Sequence, residues 1–313
     1  MQILYGTGSE NYKDITLKCL YDFMQNGYIV IPPNDEYRAT VFGDPCFGTI
    51  KNILVKGSEE DAKIVGPQET VIIRHPNLAR TLFQNIPIQN KLAILHNLII
   101  LAGGSLQDEL PEQTMAIQYV FPQDRVLELG ANIGRNTLVL ANLLEKSENL
   151  VTFETDPKIA YYLRVNREIN KKQFHIECAA LSSRPLIQNG WQTEVWNNSS
   201  EIPSGFFKVN TITYNELRAK YANISFNVLV LDCEGAFYHI LQDMPEILTG
   251  IEKILMECDY TDFNQKVWIS SQLIAAGFEK VYSQPCKDPI GLAKFPLCWT
   301  SFYEVWTRSA SQS

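Results

Sequence analysis

The nine residues Val126-Leu-Glu-Leu-Gly-Ala-Asn-Ile-Gly134 constrain this chain more than any other stretch. An apolar strand runs into a tight glycine turn and then, from Asn136 to Leu144, into residues at helical spacing. Strand, glycine turn and helix together open a Rossmann-like parallel α/β unit, whose helix N-terminus offers backbone N–H groups to a ligand. A dinucleotide fingerprint needs a second glycine in the middle of the turn to admit a pyrophosphate; here Asn132 stands in that place. Asparagine tolerates left-handed backbone angles but keeps a side chain, so the turn favours a ligand that presents a carboxylate.

Downstream, the rhythm is strand, turn, helix, strand, the pattern of a parallel sheet covered by helices. Seven strands are expected at Arg125–Leu129, Leu150–Phe153, Phe174–Cys178, Asn227–Leu231, Lys253–Glu257, Phe278–Tyr282 and Ser301–Trp306. Asp156 and Pro157 make a helix start after the second strand, the one as cap and the other in the first turn. Glu154 closes that strand 24 residues after Gly130, where doubly wound folds place a carboxylate on ribose hydroxyls; the plainer reading of Glu154-Thr155 is a solvated helix start. The fourth strand ends in Asp232-Cys-Glu234. Alternation along a strand points both carboxylates the same way, into the crevice above the strand ends, unless one of them caps the next helix. Glu257-Cys-Asp259 ends the fifth strand and, with Asp232, has the oxygen ligands of a Mg²⁺ site; acidic clusters hold organic cations more often than metal, so a divalent ion is the less favoured reading. His239 is the one histidine beside a motif, while His75, His96 and His175 carry none.

Upstream, short apolar stretches alternate with turn-formers, as in Gly43-Asp-Pro, so residues 1–60 read as a small β-rich module closed by the polar run Lys56–Asp61. Ile88, Leu92, Leu95, Leu98 and Ile99 recur at helical spacing, which makes residues 61–114 a helical bridge and leaves 115–313 for the α/β domain. Within that domain the polar stretch from Arg184 to Phe207 reads as a loop, carrying Trp191 and Trp196 to an acceptor ring or to the core.

The net charge of −8 and pI near 5.2 argue against nucleic acid or an anionic membrane as partner and for a neutral or cationic substrate. Seven scattered cysteines with no Cys-x-x-Cys pair indicate neither a disulfide framework nor a zinc site. Without a leader-like start or an apolar run long enough to span a bilayer, a cytoplasmic protein with no membrane span is expected.

Taken together, Glu128-Leu-Gly-Ala-Asn-Ile-Gly134 and Asp232-Cys-Glu-Gly-Ala-Phe237 resemble the two motifs of the FkbM-type methyltransferases, Rossmann-like enzymes that use S-adenosylmethionine, mostly for O-methylation of sugars and natural products. The resemblance runs from about Val120 to Arg308, with Glu154, Val209-Asn-Thr-Ile-Thr, Glu257 and Gly277-Phe278 in family order. It implies a seven-stranded class I methyltransferase sheet with helices on both faces. Cofactor would be bound by Glu128, Gly130, Ala131, Asn132, Gly134, Asn136, Glu154, Thr155 and Asp232, with Ala180 and Leu181 near adenine. Asp232, foremost, with Glu234 and Glu257, would carry the proton of an acceptor hydroxyl on a sugar or glycan. Glu128 replaces the family's Asp, and Phe237 its usual final Glu. The run Leu231–Leu248 resembles sugar-methylating domains attached to glycosyltransferases in large algal viruses and bacteria, so a glycosyltransferase is an expected neighbour. Two other readings remain: an NAD-dependent oxidoreductase, and a non-catalytic nucleoside-binding or assembly module.

Overall fold

The computed structural model describes residues 2–8, 11–25, 28–57, 62–74, 88–197 and 201–308. They form two compact units, Met1–Ile100 and Leu101–Ser313.

In the first unit, β1 (Gln2–Thr7), β2 (Asn11–Asp14), β3 (Met24–Gln25), β4 (Tyr28–Ile31), β5 (Asn52–Lys56), β6 (Ala62–Val65) and β7 (Val71–Arg74) make two antiparallel sheets. Their orders are β2-β1-β5-β6 and β3-β4-β7. Ile3 and Tyr5, two apart on β1, face a core with Leu20, Ile29, Phe42 and Ile53, as the period of a strand requires. Arg38 is wholly buried there and donates to the carbonyls of Pro32, Gly66 and Glu69. Residues 62–65 and 71–74, read from the sequence as part of a helical bridge, are strands: Ile64-Val65 and Val71-Ile72 are β-branched and pair with β5 and β4. Helix Ile88–Leu98 clusters with this unit. Residues 58–61 of the closing polar run, and His75, lie outside the described residues.

The second unit contains β8 (Val126–Leu129), β9 (Leu150–Phe153), β10 (His175–Glu177), β11 (Ala180–Leu181), β12 (Leu186–Asn189), β13 (Gln192–Val195), β14 (Phe207–Val209), β15 (Thr211–Ile212), β16 (Val228–Leu231), β17 (Lys253–Glu257), β18 (Glu279–Gln284) and β19 (Tyr303–Thr307). Its seven-stranded sheet has the order β10-β9-β8-β16-β17-β19-β18, with β19 alone antiparallel to its neighbours. β8, β9 and β16 are buried along their whole length, so both faces of the sheet are covered and the strands are continuous apolar runs rather than alternating ones. The expected helix start is present: the Asp156 side chain accepts from the backbone of Lys158 and Ile159 ahead of helix Pro157–Ile169. β8 is flanked by β9 on one side and β16 on the other, which is the switch point where open α/β sheets bind ligands beyond the strand ends.

The stretch from Arg184 to Phe207 is not a plain loop. It folds into the antiparallel sheet β13-β12-β14, its hairpin closed by Gly190-Trp191 with Gly190 at φ +56°, a left-handed first turn position that glycine adopts without strain. All seven cysteines are free thiols. Among the described residues no helix is long and apolar enough to cross a membrane.

Candidate functional site

The turn after β8 is fixed by its neighbours. The N–H groups of Gly130 and Ala131 both donate to the Phe153 carbonyl that ends β9, and register sets Leu129 beside Leu231 on β16. Asp232 therefore comes so close to Gly130 that a Cβ there would sit 1.6 Å from the Asp232 carbonyl oxygen. Asn132 adopts φ +50°, as its place in the turn requires, and its N–H donates to Glu154 Oε2 at 2.9 Å. Glu154 Oε1 accepts from the Asp156 N–H at 2.9 Å. Burial raises this carboxyl while the two backbone N–H groups lower it. The two oxygens carry about four lone-pair sites, so acceptor capacity is left beyond these two bonds.

Across the switch point, carboxyls converge from three strand ends and one helix. Asp232 and Glu257, just beyond β16 and at the end of β17, share a hydrogen bond between their carboxyls. Burial raises both: Asp232 to about 7, held down by the hydrogen bond from Glu257 and pushed up by the Glu109, Glu234 and Glu154 charges, and Glu257 higher, because burial and then the Asp232 charge make it the partner that holds the proton. Two adjacent carboxyls that cannot both ionise behave this way. Asp259 donates nothing and accepts from the Gly235 N–H at 2.7 Å through Oδ1, while its buried Oδ2 has no partner; burial pushes it up to about 8. Glu234 reaches the same cavity for a reason other than strand alternation. The strand stops at Leu231, and Glu234 is turned by a left-handed backbone at φ +53°, a strained conformation of the kind that clusters at functional sites.

These groups border a cavity of about 640 Å³, within the range of small-molecule sites. Gly130, Asn132, Glu154, Thr155, Ala180, Leu181, Asp232, Glu234 and Glu257 all line it. Glu128, Ala131, Gly134 and Asn136 do not. Glu128 is fully buried behind the turn, accepting from Thr137 Oγ1 at 2.7 Å and Thr152 Oγ1 at 2.6 Å. Ala131 is buried, Gly134 abuts Leu163, and the Asn136 side chain is buried within helix Arg135–Leu143. The expected helix N-terminus is also not free for a ligand carboxylate: the Asn136 N–H donates to Glu109 Oε2 at 3.2 Å, and Arg135 pairs with Glu109 at 3.0 Å. Glu109, Glu112 and Tyr303 line the cavity without any sequence motif announcing them; Glu109 and Glu112 sit in Asp108-Glu-Leu-Pro-Glu112, which reads as an ordinary acidic helix start. His239 lines the cavity, whereas His96 and His175 lie outside it. Among the described residues no group of three or more His, Cys, Asp or Glu is arranged to hold a metal ion.

Glu128 gives a stability prediction. Burial pushes its carboxyl up to about 8 from an ordinary 4.5, so between those values the unfolded chain releases a proton that the native state keeps. Stability from this group is complete at acid pH and declines as pH rises from about 4.5 to about 8, by on the order of a few kcal/mol. In Glu128→Gln, whose amide oxygen still accepts from both threonines, that decline is missing. Melting temperatures of the two proteins should therefore lie close together near pH 5 and diverge as pH rises to about 8, with the variant the more stable; parallel profiles would show that Glu128 is ionised in the native protein.

The strand order, with its single antiparallel strand next to the edge, is that of the Rossmann-like class I methyltransferase sheet. No protein-family model matches the sequence, and no curated protein does. Solved structures with a similar trace include a ribosomal protein L11 methylase from Lactobacillus delbrueckii subsp. bulgaricus (10% identity, 67% of this chain and 82% of that one, TM-score 0.41). An rRNA methylase from Streptococcus thermophilus is also similar (10%, 63% and 94%, 0.39), as is the tRNA m1G37 methyltransferase of M. jannaschii (12%, 67% and 52%, 0.38). At these similarities they add nothing about activity, and the fold rests on the strand order itself. One expectation is corrected: the exclusion of nucleic acid drawn from net charge is withdrawn, because net charge sums the whole chain whereas nucleic acid is held by a local patch, and among the structures of similar trace are an rRNA methylase and a tRNA methyltransferase.

Proposed function

We propose that residues 115–313 form an S-adenosylmethionine-dependent O-methyltransferase, acting on a hydroxyl of a sugar or related small molecule. The observation that carries this reading is the set of carboxyls around one switch-point cavity: Glu154 beyond β9 and the proton-sharing Asp232–Glu257 pair beyond β16 and β17. A sulfonium and an ammonium suit that charge, and the two buried carboxyl oxygens without partners, on Glu112 and Asp259, suit a cationic or hydrogen-donating occupant. The FkbM motifs at Gly130–Gly134 and Asp232–Gly235 support the same reading.

In this proposal Glu154 holds the ribose hydroxyls, and Thr155, Ala180 and Leu181 bound the nucleoside. When bound, the cofactor supplies a methyl group already activated by its sulfonium. The protein's part is to hold the hydroxyl in line and to accept its proton. Asp232 accepts it, since its carboxyl titrates near neutrality. Glu257 keeps the shared proton and, through it, fixes the orientation of Asp232. The oxidoreductase alternative is disfavoured by the Glu109 carboxylate on the Asn136 N–H, which repels a pyrophosphate from the helix start where dinucleotides place it.

Glu154→Ala tests the cofactor assignment. Losing a charged hydrogen-bond acceptor costs about 1.5–3 kcal/mol, so S-adenosylhomocysteine should bind roughly 10- to 100-fold more weakly by calorimetry. Unchanged affinity in a variant that melts like the wild type would remove Glu154 from the site.

A further inference from the structure

The cavity carries more negative charge than a methyl donor accounts for. Ten carboxyl side chains line it against two guanidinium groups. Both guanidiniums are committed: Arg135 to Asp108 at 3.3 Å and Glu109 at 3.0 Å, and Arg184 to Asp243 at 2.5 Å. Glu154 accepts from the backbone of Asn132 and Asp156 and in the methyltransferase reading takes the ribose hydroxyls, and Asp232 and Glu257 share a proton. Glu194 accepts from the Gln192 amide, and Glu112, Glu234 and Asp259 are left without a cation. Two of the three have buried oxygens with no hydrogen-bond partner, Glu112 Oε2 and Asp259 Oδ2, and Glu112 as a whole is only 8% exposed. Leaving a buried carboxyl oxygen unpartnered is destabilising, a cost that a donor brought by the substrate removes.

Glu112 and Asp259 gather around Glu257. Glu257 feels Asp232, Glu112 and Asp259 at once, and Tyr303, opposite Glu257 on β19, feels Glu112, Glu257 and Asp232. Glu112 comes from helix Leu110–Tyr119, ahead of β8, and Asp259 from the loop after β17, so the cluster is assembled from separate elements.

We propose that this end of the cavity recognises an ammonium group through Glu112 and Asp259, beside Glu257, so that the acceptor is a hydroxylated amine. The inference rests on the methyltransferase reading and names the acceptor class for it. In the empty protein Glu112 and Asp259 each titrate at about 8 because burial disfavours their charge. An ammonium beside them favours the charged forms, and its arrival therefore expels protons near neutrality.

The test loads the whole protein with S-adenosylhomocysteine and then titrates it with trans-2-aminocyclohexanol or with trans-cyclohexane-1,2-diol, in two buffers of different ionisation enthalpy. The amine should bind about tenfold or more tightly than the diol, a difference of about 1.4 kcal/mol, and its heat should vary with buffer because protons leave. Glu112→Gln, and independently Asp259→Asn, should erase both the preference and the buffer dependence, effects that loss of packing alone does not produce together. Equal binding of the two probes, binding of neither, or an amine preference that survives both substitutions would overturn the assignment. If S-adenosylhomocysteine itself does not load, the methyltransferase reading has failed, and the two failures are thus told apart.

Discussion

Asp232→Asn should lower turnover by about 10²–10⁴-fold, the usual contribution of a positioned general base, while leaving the affinity for S-adenosylhomocysteine far less changed. Asparagine keeps the shape of the side chain, and its amide cannot take a proton. The contrast lies in Glu257→Gln: an amide N–H can still donate to Asp232 as the Glu257 carboxyl does, so this variant should lose much less. The wild-type rate should rise with pH through about 7, where Asp232 gives up its proton; a base works only when deprotonated, so the limb is on the acid side and the plateau above it. Single-turnover assays across pH, with a substrate found by screening, read both effects. If Asp232→Asn keeps near-normal turnover, the base is another cavity group, with Glu234 and His239 next in line.

Gly130→Ala should be among the most destabilising single substitutions available in the second unit, by roughly 4 kcal/mol or more, the exceptional end of the range for point mutants. Two separate costs meet there. The residue holds φ +95°, and the added methyl lies 1.6 Å from the backbone carbonyl of Asp232, which no rotamer can move aside. Gly277 separates the two. It holds φ +83° with nothing within 4 Å of an added Cβ, so Gly277→Ala bears only the left-handed strain of roughly 1–2 kcal/mol. Thermal melting of both variants checks this; equal losses would mean that the turn after β8 relaxes away from β16 and that the close approach of the two strand ends is not needed.

All seven strands of the main sheet are legible, the inner ones because strands buried on both faces are written as apolar runs, Val126–Leu129 and Val228–Leu231 above all. The helix start at Asp156-Pro157 is equally plain, since capping is a local matter. Two-residue strands and amphipathic hairpins are written more faintly: Leu186–Val195 is polar in most positions and became a loop in the sequence reading, although Gly190 marks its turn. The β-rich stretch after residue 60 was likewise hidden, because Ile64, Val65, Val71 and Ile72 owe their pairing to partners far off in the chain.

In the site, the motif residues on strand ends reached the cavity, but motif membership did not say which way each one faces. Glu128 precedes the turn by two residues and points behind it to Thr137 and Thr152, and Ala131 lies beneath it. Glu109 and Glu112 were invisible for the opposite reason: they come from a helix start that carries no pattern, and only the packing of that helix beside β17 and β19 delivers their carboxyls.

The central claim is that the cavity at the end of β8 and β16 takes an adenosyl amino acid rather than a dinucleotide. Calorimetric titration of the wild-type protein with S-adenosylhomocysteine and, separately, with NAD tests it most directly. The account predicts saturable one-site binding of S-adenosylhomocysteine and none of NAD; NAD binding alone, or binding of neither, would contradict it.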